Sequence, residues 1–286
     1  MIIVTAATGN LGRLVVDALL AKLPATEVAV AVRDPAKAAD LSARGVAVRH
    51  ADYAQPATLR AAFAGADKLL LISSNELGGG RVRQHQAAVA AAVEAGVGFL
   101  AYTSVLRADR STLGLAADHL ATERAIAASG LPYAWLRNGW YLENYTENLR
   151  PALAHGAILG AAGGGKVAAA ARRDYAEAAA AVLLGDGHAG RAYELAGDTA
   201  FTMAELAAEV ARIAGAPVAY RDLPEAAYRD ALLGFGLPAP LAGLLADSDR
   251  GISAGDLDGD GATLRALIGR PSTTLATAVA AALGRG

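Results

Sequence analysis

Short apolar runs alternate with longer amphipathic stretches along the first half of the chain. The apolar runs predict strands at Ile2–Ala6, Glu27–Val32, Val46–His50, Lys68–Ile72, Phe99–Thr103 and Tyr133–Leu136. The stretches between them predict helices at 11–22, 35–44, 56–64, 81–95 and 112–129. Several strands are apolar throughout, as expected where helices cover both faces of a parallel sheet. This alternation, in units of about 25 to 30 residues, predicts an α/β fold with a doubly wound parallel sheet.

The pattern changes after residue 140. The glycine- and alanine-rich segment Gly156–Gly165 predicts a loop or an irregular crossing. The later elements are predicted as a helix over 172–184, a strand over Arg191–Leu195 that returns to the main sheet, and a helix over 202–214. Thr202 and Glu205 have the spacing of a capping box and would begin the last of these helices.

The acidic segment Gly255–Gly261 superficially resembles a calcium-binding loop. Its aspartate spacing does not fit such a loop, and it lacks the glutamate that closes an EF-hand. We therefore interpret the segment as a surface loop. His85, His155 and His188 also lack the spacing of a metal-binding cluster, so we predict no metal site.

Composition limits the classes of protein to which this chain can belong. Its 286 residues are 54% hydrophobic and 19% charged, which excludes a chain kept disordered by its charge. The formal net charge of −2 argues against nucleic acid as the main partner. The absence of cysteine excludes disulfides, iron–sulfur clusters and a thiol nucleophile. Because the sequence has neither a signal peptide nor an apolar run of the ~20 residues that span a bilayer, we expect a soluble, cytoplasmic protein without a membrane partner.

A glycine motif lies between the first predicted strand and the first predicted helix, in the sequence TAATGNLG at 5–12. A dinucleotide pyrophosphate needs backbone N–H groups directed at it and no side chain in the way. Gly9 permits that approach, the helix beginning near Asn10 offers its positive end, and Gly12 lets the helix pack closely on the sheet. The candidate pyrophosphate-binding residues are Thr8, Gly9, Asn10, Leu11 and Gly12. Ala6 stands where a first glycine is usual, and the alternative interpretation is an ordinary strand-to-helix turn.

The end of the second predicted strand indicates which dinucleotide binds. Arg33 is the first residue beyond this strand, where its guanidinium can bind a 2′-phosphate, and Lys37 can add a second positive charge. We therefore predict NADPH as the cofactor. In the alternative, Arg33 faces solvent and Asp34 binds the ribose hydroxyls of NAD, although Asp34 also fits the N-cap of the following helix. Asp52 either reaches the adenine amino group or caps the helix that follows it.

These stretches and several others together resemble the NmrA-like, atypical short-chain dehydrogenase group, and within it the bacterial quinone reductases. The stretches that carry the resemblance are TAATGNLG (5–12), AVRDPAKA (31–38), ADY (51–53), LLLISSNE (69–76), FLAYTSVLRAD (99–109), LRNGWYLENY (136–145) and LADSD (245–249). The resemblance implies an NADPH site in a Rossmann domain, with a cleft between its sheet and a smaller C-terminal lobe. It also implies a quinone substrate and two-electron reduction without flavin.

The predicted Rossmann domain covers 1–140, and the substrate-side lobe covers most of 141–286, while 166–197 returns to the sheet of the first domain. Ligands of such sheets bind beyond the carboxyl ends of the strands. The candidates for contacts with the nicotinamide and its ribose are therefore Ser73, Ser74, Asn75 and Thr103.

The residues that ordinary short-chain dehydrogenases use for proton transfer are missing. None of the 9 tyrosines is followed by a lysine four residues later, as the Tyr-x-x-x-Lys pair requires. His119 and Glu123 share one face of the corresponding helix, where they form either an acid–base pair or a structural contact. The candidate substrate-cleft residues are Asn138, Tyr141 and His119. Trp140 and Tyr145 either cover the substrate ring or fill the core.

Two functions are consistent with these features. The first is an NADPH-dependent, flavin-independent quinone reductase. The second is a sensor that binds NAD(P) without turnover, as regulators of the NmrA type do, and the missing Tyr/Lys pair keeps that hypothesis open. A long regulatory tail or a DNA-binding segment would favour the sensor, and the sequence contains neither. The sequence does not predict an oligomeric state.

Overall fold

The computed structural model describes residues 1–147 and 149–285. The strands in these ranges are β1 (Ile2–Thr5), β2 (Val28–Val32), β3 (Ala47–His50), β4 (Lys68–Leu71), β5 (Phe99–Val105), β6 (Tyr133–Asn138), β7 (Ala157–Gly160), β8 (Lys166–Val167), β9 (Arg191–Leu195), β10 (Phe201–Thr202) and β11 (Ala219–Asp222). The helices are α1 (Asn10–Leu20), α2 (Ala39–Ala43), α3 (Leu59–Phe63), α4 (Arg81–Glu94), α5 (Gly114–Ala128), α6 (Glu143–Thr146), α7 (Arg150–His155), α8 (Arg172–Leu184), α9 (Met203–Ala214), α10 (Glu225–Gly234), α11 (Ala239–Ser253), α12 (Ala262–Ile268) and α13 (Leu275–Ala282).

Seven strands form the main sheet in the order β3-β2-β1-β4-β5-β6-β9. The pairs from β3 to β6 are parallel, and Ile2 of β1 lies opposite Val28 on one side and Lys68 on the other. The chain therefore winds outward in both directions from β1, as a Rossmann sheet does. This order confirms the predicted doubly wound α/β fold, including the return of β9 to the sheet.

The core of this sheet consists mainly of apolar side chains from strands and helices. Ile3, Leu69 and Leu100 point from neighbouring strands into one cluster, where they pack with Phe63 of α3 and Ile126 of α5. All five side chains are fully buried. Burial of such side chains contributes about 1.5 to 3 kcal/mol each, so this face fixes the strands that present the candidate site residues.

The chain divides into two compact units. Unit 1 contains residues 1–105, 118–138 and 175–193, and unit 2 contains 106–117, 139–174 and the chain from Glu194 onward. In unit 2, β7 pairs with β11 in parallel and β8 pairs with β10 in antiparallel fashion. Helix α9 follows β10 directly and begins with the predicted capping box, since the Thr202 hydroxyl accepts from the Glu205 N–H at 3.1 Å.

Two predictions from local composition are wrong in part. Gly156–Gly165 is not only a loop, because Ala157–Gly160 forms β7; its partner β11 lies some sixty residues later and gives no local signal. The Gly255–Gly261 segment is a loop, but Asp256 and Leu257 are buried within it. Asp256 accepts hydrogen bonds from the Thr112 N–H and hydroxyl at 2.9 and 2.6 Å, so the predicted surface loop is anchored. None of the described helices is long and apolar enough to span a membrane.

Candidate functional site

The glycine motif forms a tight turn between β1 and α1 in unit 1. Ala6 adopts a left-handed conformation with φ of 49°, so the turn forms with a Cβ at the position where a first glycine is usual. The Gly9 N–H donates to the Ala6 carbonyl at 2.9 Å, and α1 then begins at Asn10. Neither a capping side chain nor an acidic residue occupies the first turn of α1. The first backbone N–H groups of α1, at the positive end of the helix dipole, are therefore free to bind an anion.

Gly12 is required by packing at this turn. A Cβ at position 12 would lie 2.5 Å from the Ala6 carbonyl oxygen and 2.7 Å from the Ala7 Cα. Real Cβ atoms do not approach backbone that closely, so a side chain here would force α1 away from the turn. Gly12 therefore allows the first turn of α1 to pack closely against Ala6 and Ala7, in the turn that the sequence assigns to pyrophosphate binding.

The segment after β2 presents two cations beside a capped turn. The Asp34 carboxylate accepts from the Ala36 N–H at 3.1 Å and is the N-cap of a 3₁₀ turn over Pro35–Ala38. The sequence left open whether Asp34 caps this turn or binds a ribose. In the structure, Oδ1 of its carboxylate makes the capping hydrogen bond. Arg33 and Lys37 are exposed, and their charged groups have no partner in the part of the chain that the structure describes. They remain available to a phosphate.

Arg13 is a residue of this region that sequence reasoning missed. It lies in the first turns of α1, where its guanidinium pairs with Asp40 and donates to the Lys37 carbonyl at 3.3 Å. These contacts hold the 3₁₀ turn after β2 against α1. The spacing of Arg13 from Lys37 carries no local signal, because only the fold brings the two segments together.

Beyond β3, Asp52 organises the turn that precedes α3. Its carboxylate accepts from the Ala54 N–H at 2.9 Å and from the Gln55 side-chain amide at 3.0 Å, while Gln55 is the N-cap residue of the 3₁₀ turn Pro56–Thr58 that leads into α3. The predicted helix-capping role is therefore wrong in detail, because Asp52 bonds the turn before the helix. Its neighbour Tyr53, which the sequence did not single out, places its hydroxyl 2.5 Å from Thr5 Oγ1 and 2.8 Å from the Ile72 carbonyl.

The residues predicted to line the nicotinamide follow the ends of β4 and β5. The Ser73 N–H donates to Thr103 Oγ1 at 2.9 Å, and the Ser74 N–H donates to His85 Nε2 at 2.8 Å. Thr103 is buried inside β5, which extends to Val105, so the strand is longer than predicted and Thr103 supports the loop after β4. Asn75 is exposed in the same loop.

Behind this loop lies a buried group that we call the histidine–tyrosine cluster, formed by His85, Tyr102, His119 and Thr122. Because His85 Nε2 accepts from Ser74, the proton of its neutral ring is on Nδ1, which donates to Thr122 Oγ1 at 2.9 Å. The Tyr102 hydroxyl and His119 Nδ1 form a hydrogen bond of 2.8 Å. Every member thus has at least one hydrogen-bond partner.

The two histidines are neutral at ordinary pH. Burial, with a smaller contribution from the buried Arg81 guanidinium, lowers the pKa of His85 to about 4. Burial and the same guanidinium lower the pKa of His119 to about 3. His119 is therefore a neutral hydrogen-bond partner of Tyr102 and not a charged acid.

Glu123 belongs to a separate buried ion pair. Its carboxylate accepts two hydrogen bonds from Arg137, at 2.9 Å from Nε and 2.7 Å from Nη2, and a third from the Ser104 hydroxyl at 2.6 Å. Glu123 is 1% exposed. His119 and Glu123 therefore bond to different groups, so the direct contact between them that the sequence allowed is wrong. Their alternative role as an acid–base pair stays a prediction.

The remaining substrate-cleft candidates have separate surroundings. In unit 1, Asn138 ends β6, and its Oδ1 is buried without a hydrogen-bond partner among the described residues. In unit 2, Tyr141 forms an isolated bridge with Ala170, and the Arg172 guanidinium lies 5.1 Å from the centre of its ring. Tyr145 packs its ring edge-on against another aromatic side chain of unit 2. Among the described residues, no group of three or more metal-ligating side chains comes together.

Unit 2 also contains a cavity of about 490 Å³, which we call the unit 2 cavity. Apolar side chains from α6 to α10 form most of its wall, among them Leu149, Ile158, Leu206 and Leu232. Asp249 of α11 is the buried charged residue in this wall.

A sequence model of the NmrA-like family matches residues 1–250. The chain belongs to the NmrA-like family. The recognition made from the glycine motif and the six other stretches is therefore confirmed.

The chain is similar to several proteins that are named as reductases. The chain is 52% identical to quinone oxidoreductase 2 of Escherichia coli K12 over 279 residues, which covers 98% of this chain and 97% of that protein. The crystal structure of an E. coli NADPH-dependent quinone oxidoreductase complexed with NADPH superposes with a TM-score of 0.96 at 51% identity, covering 99% of this chain and 100% of the other. Citrobacter sp. triphenylmethane reductase complexed with NADP(H) gives a TM-score of 0.95 at 39% identity, over 99% and 100% of the two chains.

Proposed function

We propose that this NmrA-like protein catalyses the NADPH-dependent reduction of quinones by direct hydride transfer, without flavin. The observation that carries the proposal is the match over nearly the whole chain to a quinone oxidoreductase at 52% identity, together with a matching structure that contains NADPH. Bound NADPH supplies the hydride. The cytoplasmic location inferred from the sequence fits this cofactor and stays a prediction.

The residues of unit 1 fit a dinucleotide phosphate. The uncapped N-terminus of α1 offers backbone N–H groups, and Gly12 leaves the space that a Cβ would fill. Arg33 and Lys37 carry charges without protein partners among the described residues, as a 2′-phosphate site requires. In this assignment Thr8 to Gly12 bind the pyrophosphate and Arg33 binds the 2′-phosphate.

The loop after β4 orients the nicotinamide end. Thr103 and His85 accept from consecutive backbone N–H groups and so fix the path of Ser73 and Ser74. Asn75 then projects its amide from a backbone that is already held. Pre-organised polar groups of this kind position a reacting ring without rearranging when the ligand binds.

The reaction needs little help from a protein acid. Hydride transfer to a quinone leaves a delocalised hydroquinone anion, which is much less basic than the alkoxide formed from a ketone and can take its proton from water. The absence of a Tyr-x-x-x-Lys pair and the neutral state of His119 are both consistent with that chemistry.

Absorbance measurements with the purified protein test the proposal. We expect a protein without flavin absorption above ~400 nm that oxidises NADPH only when a quinone is added. The control is the same mixture without quinone, and a panel of quinones of different size covers the unknown acceptor. Tight NADPH binding with no quinone-dependent oxidation across the panel would reject the reductase and favour the NmrA-type sensor.

A further inference from the structure

The unit 2 cavity has the size and lining of a small-molecule site. Its volume of about 490 Å³ lies within the range of roughly 300 to 1,000 Å³ that is usual for ligand pockets. Aliphatic side chains form most of the wall, and Tyr145, Tyr228 and Phe235 add aromatic rings. Such walls favour a flat ring system, because apolar and aromatic surface is buried on both sides of the contact.

One carboxylate in this wall is only half satisfied. Asp249 is 8% exposed, and its Oδ2 accepts from the Ala161 N–H at 2.7 Å. Its Oδ1 has no hydrogen-bond or ion-pair partner among the residues that the structure describes. Burial, reinforced by the nearby Asp222, raises the pKa of Asp249 to about 6. At neutral pH the group is therefore charged in a place that disfavours the charge.

The other polar groups near Asp249 do not neutralise it. The Tyr220 hydroxyl donates to Asp222 at 2.8 Å and accepts from the Ala162 N–H, so it is already engaged. The Tyr145 hydroxyl is buried without a partner in the described chain. The Tyr228 hydroxyl also lacks one within that part of the chain.

Two basic residues also line the cavity. Arg221 is exposed on β11 and His155 ends α7, and neither forms an ion pair with Asp249. A solvated guanidinium is screened by water and provides little compensation to a buried carboxylate.

We propose that the unit 2 cavity binds flat aromatic cations of delocalised charge, with Asp249 as their counter-ion. A cation would pair with the free Oδ1, and the neighbouring aromatic rings would attract it further. A delocalised cation is weakly hydrated and loses little on entering apolar walls, whereas a compact ammonium is strongly hydrated. Aromatic anions would be repelled by Asp249 and Asp222, and neutral rings would leave Oδ1 unpaired.

Binding of two matched dyes to the unmodified protein tests this proposal. Thioflavin T is a benzothiazolium cation, and the benzothiazole that lacks its ring N-methyl group is neutral with the same rings. Equilibrium dialysis without NADPH or quinone keeps the result independent of the proposed reductase activity. We expect the cation to bind about ten- to a hundredfold more tightly than the neutral dye, the range expected for one charge-assisted contact.

Two variants assign the selectivity to Asp249. Asp249→Asn keeps an acceptor for Ala161 and should reduce the preference for the cation to about twofold or less. Asp230→Asn removes the same charge from the exposed face of α10 and should leave both affinities unchanged. Circular dichroism of each variant establishes that it is folded.

The pH dependence in the unmodified protein is a second measurement that needs no variant. The charge of thioflavin T is fixed, so its affinity should fall about tenfold between pH 7.5 and pH 5 as Asp249 gains a proton. The groups near Asp249 are Asp222, Arg221, His155 and the hydroxyls of Tyr145, Tyr220 and Tyr228. Any remaining pH effect in Asp249→Asn measures their contribution.

Three results would overturn the proposal. One is equal affinity of the unmodified protein for the two dyes. Another is an Asp249→Asn protein that retains the full preference for the cation. The third is a loss in Asp230→Asn as large as that in Asp249→Asn. Each of these results leaves the proposed quinone reduction untouched, because NADPH oxidation is measured separately.

Discussion

The histidine–tyrosine cluster of unit 1 and the unit 2 cavity both bury ionisable side chains, but they differ in how these are satisfied. In unit 1, His85 and His119 are neutral and each has a hydrogen-bond partner. In unit 2, Asp249 keeps one oxygen free, and the Tyr145 hydroxyl has no partner among the described residues. A buried polar group that is fully bonded rigidifies its surroundings, whereas one left unbonded costs free energy until something binds it. The histidine–tyrosine cluster therefore supports the loop after β4, whereas the unit 2 cavity has the features of a ligand-binding site.

The largest effect is expected from breaking the buried Glu123–Arg137 ion pair, which belongs to unit 1 as the histidine–tyrosine cluster does. Glu123→Ala leaves the Arg137 guanidinium buried without its bidentate partner. Loss of one member of a buried pair typically costs about 3 to 5 kcal/mol of the free energy of unfolding. Urea unfolding of the variant measures it. Glu94→Ala, which removes an exposed carboxylate from the end of α4, is the control and should change stability by about 0.5 kcal/mol or less.

A small loss of the free energy of unfolding in Glu123→Ala would contradict the view that buried polar groups rigidify unit 1. If the variant loses only about 1 kcal/mol, the pair acts like a surface pair and the region is not rigidified by it. Replacing both Glu123 and Arg137 by apolar residues of similar volume sharpens the result, because that change is often neutral when the desolvation of the pair offsets its attraction.

In the unit 2 cavity, we expect a substitution to increase the free energy of unfolding instead of lowering it. The pKa of Asp249 is raised from 3.8 to about 6, so the folded protein binds the proton more tightly than the unfolded chain. The stability associated with this proton is present below pH ~4 and is lost as the pH rises through ~6. Asp249→Asn removes the buried charge and should therefore increase the free energy of unfolding at pH 8 by about 2 to 3 kcal/mol.

Urea unfolding of Asp249→Asn and the unmodified protein at pH 8 and pH 4 measures this difference. The gain should nearly disappear at pH 4, where Asp249 is protonated in the folded state. A variant that is less stable at pH 8 would mean that the charge of Asp249 is satisfied in the folded protein. That outcome would remove the contrast between the two regions.

Local features of the site were predictable from the sequence, because their geometry depends on neighbouring residues. The glycine turn, the N-cap at Asp34 and the capping box at Thr202 each lie within a few residues of their partners. The alternation of apolar runs also predicted which segments form the parallel strands of the main sheet and which form the helices between them, because strands covered on both faces are apolar throughout.

The contacts that distinguish the two regions were not predictable, because they join distant segments. His85, Tyr102 and His119 come from α4, β5 and α5, and no spacing in the sequence relates them. Asp249 is buried against Ala161, which lies 88 residues earlier next to a strand that glycine and alanine concealed. Burial and partner geometry decide the charge of these groups, and both are properties of the fold.

The exposed Arg33 also has no partner for its guanidinium among the described residues, and this side chain lies at the predicted cofactor site. If Arg33 binds the 2′-phosphate, Arg33→Ala should weaken NADPH binding about ten- to a hundredfold, as expected for loss of one charge-assisted bond. NADH lacks that phosphate, so its affinity should change little. Isothermal titration with both dinucleotides measures the ratio, and Arg60→Ala on the exposed surface of α3 is the control. Equal losses for the two cofactors would mean that Arg33 supports the fold.

The smallest effect on the reaction is expected at His119, because a buried, neutral and hydrogen-bonded ring should not transfer a proton to the substrate. Its ring is neutral because burial lowers its pKa to about 3, and its Nδ1 is hydrogen-bonded to the Tyr102 hydroxyl. It therefore has no imidazolium proton to give at neutral pH, and hydride transfer to a quinone needs none. His119→Ala should keep kcat within about tenfold, below the 10²- to 10⁴-fold typical of general acid catalysis.

Steady-state rates with NADPH and a quinone, expressed per folded protein, measure the effect of His119→Ala. His119→Ala removes the hydrogen-bond partner of the Tyr102 hydroxyl, so a stability loss of about 1 to 3 kcal/mol is expected and must be separated from the rate. His50→Ala removes an exposed histidine at the end of β3 and is the control. A thousandfold fall in kcat with the fold and NADPH affinity intact would make His119 the acid. The histidine–tyrosine cluster would then take part in the reaction. Complete hydrogen bonding of its members would no longer indicate that the cluster has only a structural role.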